Sequence, residues 1–173
     1  MGAAANPFLY ALGIGSNQAR SARLTPRAMV NAALADLAQP PFSLIARSTI
    51  INTAPLGPSL RRYANAAALV ATDLPPPAVL AALKSMERAA GRRQGRRWAA
   101  RPLDLDILLW SGGRVDGRSL TIPHPAFRSR DFVLRPLQQV APRWRDPITA
   151  LTTRHLHARA KKPKPVDRSA PRH

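Results

Sequence analysis

Residues 101–109 read Arg-Pro-Leu-Asp-Leu-Asp-Ile-Leu-Leu, in which acidic and aliphatic side chains alternate. On a β-strand this period of two places Asp104 and Asp106 on one face and the aliphatic side chains on the other. Asp is a poor strand former, and two like charges on one face repel each other. A divalent metal ion between the two carboxylates would relieve that repulsion, and this is the chemistry that we predict. The alternative is a solvated edge strand with a polar face.

Acidic residues are scarce in this chain. The 173 residues include 27 Lys and Arg against nine Asp and Glu, for a formal net charge of +18. A chain this basic favours anionic partners, such as nucleic acid, nucleotides or phosphorylated metabolites. The absence of cysteine excludes disulfides, thiolate metal ligands and a cysteine nucleophile. No apolar run has the length of a membrane span and no secretory signal is recognisable, so we expect a cytoplasmic protein without a membrane partner.

Outward from residues 101–109, the order of elements predicts the fold class. The patterns favour a strand from residue 8, a helix over 25–38, a β-rich segment over 43–52 and a second strand over 63–72. A helix then runs from the prolines at 75–77 to near Gly91, before the acidic strand. This β-α-β-β-α-β order predicts an α+β sandwich of the ferredoxin-like type. We expect an antiparallel sheet with helices on one face and a site formed by loops on the sheet.

Cations and aromatic groups flank the acidic pair. Arg92 and Arg101 bracket a loop that contains Trp98, and His124 stands between two prolines, with Arg128 and Arg130 close behind. Arginine forks suit phosphate oxygens, and the face of a tryptophan suits a flat ring. Carboxylates that bind metal, combined with several arginines, indicate phosphoryl transfer. The chain lacks the glycine-rich lysine loop of P-loop proteins, so this would be a different kind of nucleotide site.

These residues carry a resemblance to the 6-hydroxymethyl-7,8-dihydropterin pyrophosphokinases of folate biosynthesis. The matching pieces lie in the family's order, with similar spacing, over roughly residues 8–147. They are Gly13-Ile-Gly-Ser-Asn17, Thr53-Ala-Pro-Leu-Gly57, Tyr63-Ala-Asn-Ala66, Glu87, Gly91-Arg92, Trp98, Arg101-Pro-Leu-Asp-Leu-Asp-Ile107, Ile122-Pro-His-Pro125, Arg130-Asp-Phe-Val-Leu-Arg-Pro-Leu137 and Ala141-Pro142.

The resemblance implies transfer of pyrophosphate from ATP to the pterin's hydroxymethyl group, with release of AMP. It implies that Asp104 and Asp106 hold two Mg²⁺ ions with ATP, and that Arg92 and Arg101 act on the phosphates during transfer. The ATP contacts that it implies are Glu87, Trp98, Ile107, Leu120, Thr121, His124 and Arg130. The pterin contacts that it implies are Thr53, Ala54, Leu56, Tyr63, Asn65, Trp98 and Phe132.

The residues implied to contact the pterin suit a flat heterocycle with polar edges. Trp98 and Phe132 offer aromatic faces, while the amide of Asn65 can donate and accept hydrogen bonds at the edge of the ring. Each residue taken singly also has an ordinary structural interpretation. Asn65 could be a polar edge residue, Glu87 a solvated helix residue, and His124 a residue of a turn.

The chain departs from the family pattern at three places. The loop between Arg92 and Trp98 is one residue shorter, so the phosphate contact among Arg93, Arg96 and Arg97 stays open. Ser119 stands where an arginine often binds the nucleotide, and Arg118 could substitute for it. Lys84 stands where a glutamine is frequent.

The ends of the domain follow from composition. We predict a pyrophosphokinase domain over 7–151 and a basic, disordered tail over 152–173. The expected state is a monomer that uses ATP and the hydroxymethyldihydropterin and binds no specific nucleic acid. The alternative function is that of a basic nucleic-acid-binding module without catalysis, which the net charge and the tail favour.

Overall fold

An antiparallel sheet forms the centre of the protein, in a computed structural model that describes residues 7–17, 24–53, 63–91 and 102–161. Its strands are β1 (Phe8–Ser16), β2 (Ser43–Arg47), β3 (Ile51–Thr53), β4 (Tyr63–Thr72) and β5 (Asp104–Trp110). The order across the sheet is β2-β4-β1-β5, and β3 pairs with β4 beyond the end of β2. The acidic strand β5 therefore lies at one edge, beside β1. A short hairpin of β6 (Val115–Asp116) and β7 (Thr121–Ile122) follows β5 in the chain.

Helices cover both faces of this sheet. The helices α1 (Pro26–Asp36) and α2 (Pro76–Ala89) share a hydrophobic core with Tyr10, Leu12 and Ile14 of β1. The helices α3 (Asp131–Val140) and α4 (Thr153–Ala160) belong to a second core, which includes Ala11 and Ala67.

The α+β class and the antiparallel sheet predicted from the sequence are confirmed, but the prediction of helices on one face only is wrong. The physical reason lies in the central strand β4, where residues 64–68 are buried without a break. A strand that is apolar on both faces needs a cover on both faces.

The segment predicted to begin a disordered tail at residue 152 forms α4 instead. Thr152 caps this helix by accepting a hydrogen bond from the backbone N–H of His155, and Thr153, Leu156 and His157 are buried. The apolar face of α4 is short, so the surrounding basic residues hide its periodicity in the sequence. Residues 162–173 of the predicted tail lie outside the described residues.

Candidate active site

Asp104 and Asp106 project from one face of β5, as the alternation predicts. In the register with β1, Asp104 lies opposite Gly15 and Asp106 lies opposite Gly13. Directly paired residues of antiparallel strands point to the same face of a sheet. Each carboxylate therefore has a neighbour without a side chain. A Cβ atom at Gly13 would lie 3.3 Å from the Leu108 side chain, and one at Gly15 would lie 3.3 Å from Asn65 Oδ1, so a larger residue would fit only tightly beside the carboxylates.

Electrostatics make this pair receptive to a cation. Burial, followed by repulsion from Asp104, raises the pKa of Asp106 above its ordinary value, and the electrostatic interactions with His124 and Lys84 act in the opposite direction. A divalent ion bound by Asp106 would offset the cost of keeping that carboxylate ionised. Within the described ranges no cluster of three or more His, Asp or Glu side chains could hold a metal ion. The two carboxylates, Asp104 and Asp106, are oxygen donors of the kind that Mg²⁺ commonly uses, one or two at a time, together with substrate phosphates.

Glu87 is fully buried, and its carboxylate joins α2 to β5. Its Oε1 accepts hydrogen bonds from the backbone N–H of Leu105 at 2.8 Å and from Lys84 Nζ at 2.9 Å. The interpretation of Glu87 as a solvated helix residue is therefore wrong. Because the Leu105 N–H lies on the edge of β5 that faces away from β1, Glu87 holds the acidic strand at its outer edge.

A cavity of about 300 Å³ runs along that outer edge of β5. It lies between α2 and the segment that contains the β6–β7 hairpin and the following turn. Four of the residues expected to contact ATP line it together with Asp106, namely Ile107, Leu120, Thr121 and His124. Six further lining residues were not among the predicted contacts, and these are Leu80, Lys84, Leu105, Arg118, Ser119 and Pro125.

The additional lining residues lack a clear signal in the sequence, with two exceptions. Arg118 is close enough to line the cavity, in keeping with its suggested substitution for the arginine missing at Ser119. Lys84 stands on the wall as well, while Glu87, three residues later, is buried behind it. Two of the three departures from the family pattern, at Lys84 and Ser119, thus lie in one cavity, and the third, the loop between Arg92 and Trp98, lies outside the described residues.

His124 is held by hydrogen bonds on two sides. Its backbone N–H donates to Leu108 O at 3.1 Å, and its ring Nδ1 accepts from the N–H of Ala126 at 3.2 Å. With Nδ1 as acceptor, the proton of the neutral ring lies on Nε2, which is then a donor. The His124 ring is thus a donor fixed on the wall of the cavity.

Asn65 and Thr53, two of the expected pterin contacts, are bonded to each other. Asn65 Nδ2 donates to Thr53 Oγ1 at 2.9 Å, and Tyr63 pairs with Thr53 in the ladder between β3 and β4. Asn65 also lies opposite Gly15, which lies opposite Asp104. These three residues form a row across the sheet, and two strand spacings separate the Cα atoms of Asn65 and Asp104 by about 10 Å.

Arg130 and Phe132 flank the start of α3. The guanidinium of Arg130 lies over the Phe132 ring, with Cζ 5.9 Å from its centroid. The neighbouring Arg128 is engaged elsewhere, because its two nitrogens bond Asp146 at 2.6 and 2.7 Å. Arg128 therefore has a structural partner, whereas Arg130 is exposed.

Comparison with known proteins identifies the family. Residues 11–142 match the model of the 7,8-dihydro-6-hydroxymethylpterin-pyrophosphokinase family. The chain belongs to this family. It is 37% identical over 132 residues to the 2-amino-4-hydroxy-6-hydroxymethyldihydropteridine pyrophosphokinase of Methylorubrum extorquens, covering 76% of this chain and 81% of that one. The enzyme of the same name from Pseudomonas aeruginosa is 39% identical over 136 residues, or 78% of this chain and 81% of that one.

A plant relative connects the pyrophosphokinase family with folate. The mitochondrial folate synthesis bifunctional protein of Arabidopsis thaliana is 46% identical over 76 residues, which cover 44% of this chain and 14% of that protein. The resemblance inferred from the sequence is thus confirmed at the level of the family. Five of the site residues expected from the sequence lie outside the described residues, namely Ala54, Leu56, Arg92, Trp98 and Arg101.

Proposed function

We infer that the protein transfers pyrophosphate from ATP to 6-hydroxymethyl-7,8-dihydropterin, giving the pterin diphosphate and AMP in folate biosynthesis. The observation that carries this inference is the family match over residues 11–142, which includes the acidic strand and its cavity. The protein is an ATP-dependent diphosphotransferase. Nothing in the comparisons or the fold favours the alternative of a nucleic-acid-binding module.

The proposed nucleotide site is the cavity along the outer edge of β5. Leu80, Leu105 and Leu120 give it apolar walls, while Arg118 and His124 contribute donors. This mixture suits a nucleoside with attached phosphates, because the base needs an apolar slot and the phosphates need cations. Arg130 is assigned to ATP on the resemblance, as are Glu87 and Trp98.

The proposed pterin site lies on the sheet face beside Gly15. Asn65 and Thr53 supply polar groups there, and Phe132 supplies an aromatic face at the start of α3. Ala54, Leu56, Tyr63 and Trp98 complete the assigned set on the resemblance. The row from Asn65 through Gly15 to Asp104 supports this arrangement, because it puts the pterin edge and the carboxylates on one surface.

Asp104 and Asp106 are the proposed metal ligands. The family generally requires Mg²⁺, and the finer proposal is that two ions bind together with ATP. When bound, the metal would neutralise charge on the triphosphate and lower the pKa of the substrate hydroxyl. The chain's own contribution is to hold two carboxylates on one face of a strand whose edge is anchored by Glu87.

The proposed reaction is a displacement at the β-phosphorus. The hydroxymethyl oxygen forms a bond to that phosphorus, the bond to the oxygen of the α-phosphate breaks, AMP leaves, and the hydroxyl proton is released. Arg92 and Arg101 are the residues proposed to stabilise the phosphate charge during transfer. Catalysis then depends on positioning and on electrostatic stabilisation.

The location and assembly of the protein are also part of this proposal. Among the described helices none combines the length and hydropathy needed to cross a bilayer. We propose that the protein acts as a monomer in the cytoplasm.

The decisive assay supplies ATP, Mg²⁺ and 6-hydroxymethyl-7,8-dihydropterin and identifies the nucleotide product. AMP in equal amount to pterin diphosphate is the expected result, and ADP would contradict the inference because it marks transfer of one phosphate. An Asp106→Asn protein serves as the background control. Filter binding to nucleic acid over a salt series tests the alternative, which tight, steeply salt-dependent binding without turnover would support.

A further inference from the structure

The family match ends at residue 142, and the helix α4 that follows it packs against the segment that carries Arg130 and Phe132. Leu156 of α4 shares a core with Phe127 and Leu134, and Thr153 Oγ1 donates to the backbone oxygen of Ala141. The short 3-10 helix Phe127–Ser129, which leads into α3, is also in contact with α4. The C-terminal helix therefore packs against both α3 and the segment that leads into it.

His157 is the polar side chain at this junction. Its Nε2 lies 3.2 Å from Oδ1 of Asp131, the first residue of α3, and is buried from solvent. The two atoms are at ion-pair distance but are not aligned as a hydrogen bond. In the part of the chain that the structure describes, Nε2 has no hydrogen-bond partner, and the Asp131 carboxylate is its ion-pair neighbour. Because an unsatisfied buried polar atom costs free energy, this arrangement favours keeping Asp131 next to the imidazole.

Asp131 stands between the two residues that the proposed function uses. Arg130 precedes it and Phe132 follows it, and the Arg130 guanidinium lies over the Phe132 ring. A contact that holds the Asp131 carboxylate against α4 also limits rotation of the first turn of α3. His157 is thus connected through Asp131 to the backbone segment that carries Arg130 and Phe132.

We propose that His157 is a positioning residue for substrate binding, acting through Asp131 on Phe132 and Arg130. This proposal rests on the proposed function, since it needs those two residues to contact pterin and ATP. Asp131 is 53% exposed, so the pair is partly screened by water and its effect on affinity is modest. The reacting phosphates are not involved, and the effect falls on KM rather than on kcat.

The test compares His157→Ala with His155→Ala. His155 is exposed on the same helix, so its replacement controls for loss of an imidazole from α4. We expect His157→Ala to raise KM for the pterin about threefold to tenfold and to leave kcat within about twofold. His157→Gln, which retains a nitrogen donor at a similar reach, should restore most of the affinity. Asp131→Ala should reproduce the effect, and the double variant should be no worse than either single variant.

A purely structural role for α4 would give a different pattern. Leu156→Ala removes packing from the same helix without touching Asp131, so it should lower Tm while KM stays near the wild-type value. The proposal is overturned if KM is unchanged in His157→Ala, if Leu156→Ala raises KM as much, or if the two single effects add in the double variant. Calorimetry of pterin binding measures the same change in affinity for a variant whose turnover is too slow to assay. Loss of the proposed function would appear separately, as a wild-type protein that makes no AMP.

Discussion

Glu87 accepts a 2.8 Å hydrogen bond from the backbone N–H of Leu105, the residue between Asp104 and Asp106. This hydrogen bond joins α2 to β5 at the residue that separates the two carboxylates. The same oxygen accepts from Lys84, which lines the adjoining cavity. One buried carboxylate thus connects the strand backbone with the wall of the proposed nucleotide site.

Replacing Glu87 should destabilise the protein because Leu105 N–H and Lys84 Nζ lose their acceptor. We expect Glu87→Ala to lower the free energy of unfolding by roughly 2 to 3 kcal/mol, and Glu87→Gln to cost less because an acceptor remains. Urea denaturation measures both. Arg88→Ala, at the adjacent exposed position, is the control. A loss in Glu87→Ala no larger than in this control would contradict the anchoring role.

Neutralising Asp106 should separate stability from turnover. Since burial and Asp104 raise the pKa of Asp106, its ionised form opposes folding at neutral pH. We expect Asp106→Asn to raise Tm by about 2 °C in the absence of Mg²⁺ and ATP, while AMP release falls to background. Asp116→Asn, on the exposed β6 strand, should change neither. A lower Tm together with retained turnover would show that the carboxylate is structural.

The amide of Asn65 should matter for the pterin more than for the fold. Asn65→Ala removes the group that is bonded to Thr53 and that lies in the row with Gly15 and Asp104. We expect KM for the pterin to rise about tenfold or more, because a buried partner for the ring edge is lost. Asn52→Ala, at an exposed position of β3, is the matched control. Equal KM values in the two variants would remove Asn65 from the pterin site.

The Arg128–Asp146 pair should give the protein acid-sensitive stability. Burial alone would raise the pKa of Asp146, but hydrogen bonds from Arg128 and Thr149 lower it to about 2. The unfolded value is near 4, so the contribution is complete above about pH 4 and is lost as the pH falls through 2.

We therefore expect Asp146→Asn to cost about 2 kcal/mol at pH 7, with the difference from wild type shrinking between pH 4 and pH 2. Urea denaturation at pH 7, 4 and 2.5 measures it, with the exposed Asp116→Asn as the control. A difference that stays constant with pH would refute the link to ionisation.

The sequence by itself determined the α+β class, through its periodic patterns, and the family, through the resemblance that its motifs carry. The alternation around Asp104 and Asp106 needs only the backbone period of a strand, so it was readable without a structure. The motifs from Gly13 to Leu137 lie in the family's order, and the match over residues 11–142 confirms that assignment. Motifs of this kind depend only on residues that are close together in the sequence.

Tertiary structure alone decided which side chains are buried and what they face. Glu87 and Arg88 are adjacent and both charged, yet one is fully buried and the other exposed, because only Glu87 meets the edge of β5. The place of α3 on the second face of the sheet and the helix α4 were likewise missed, since α3 packs on the distant strand β4 and α4 packs in turn on α3. Burial, pairing and the direction of a side chain depend on packing between distant segments, and a single sequence does not encode those contacts in its local pattern.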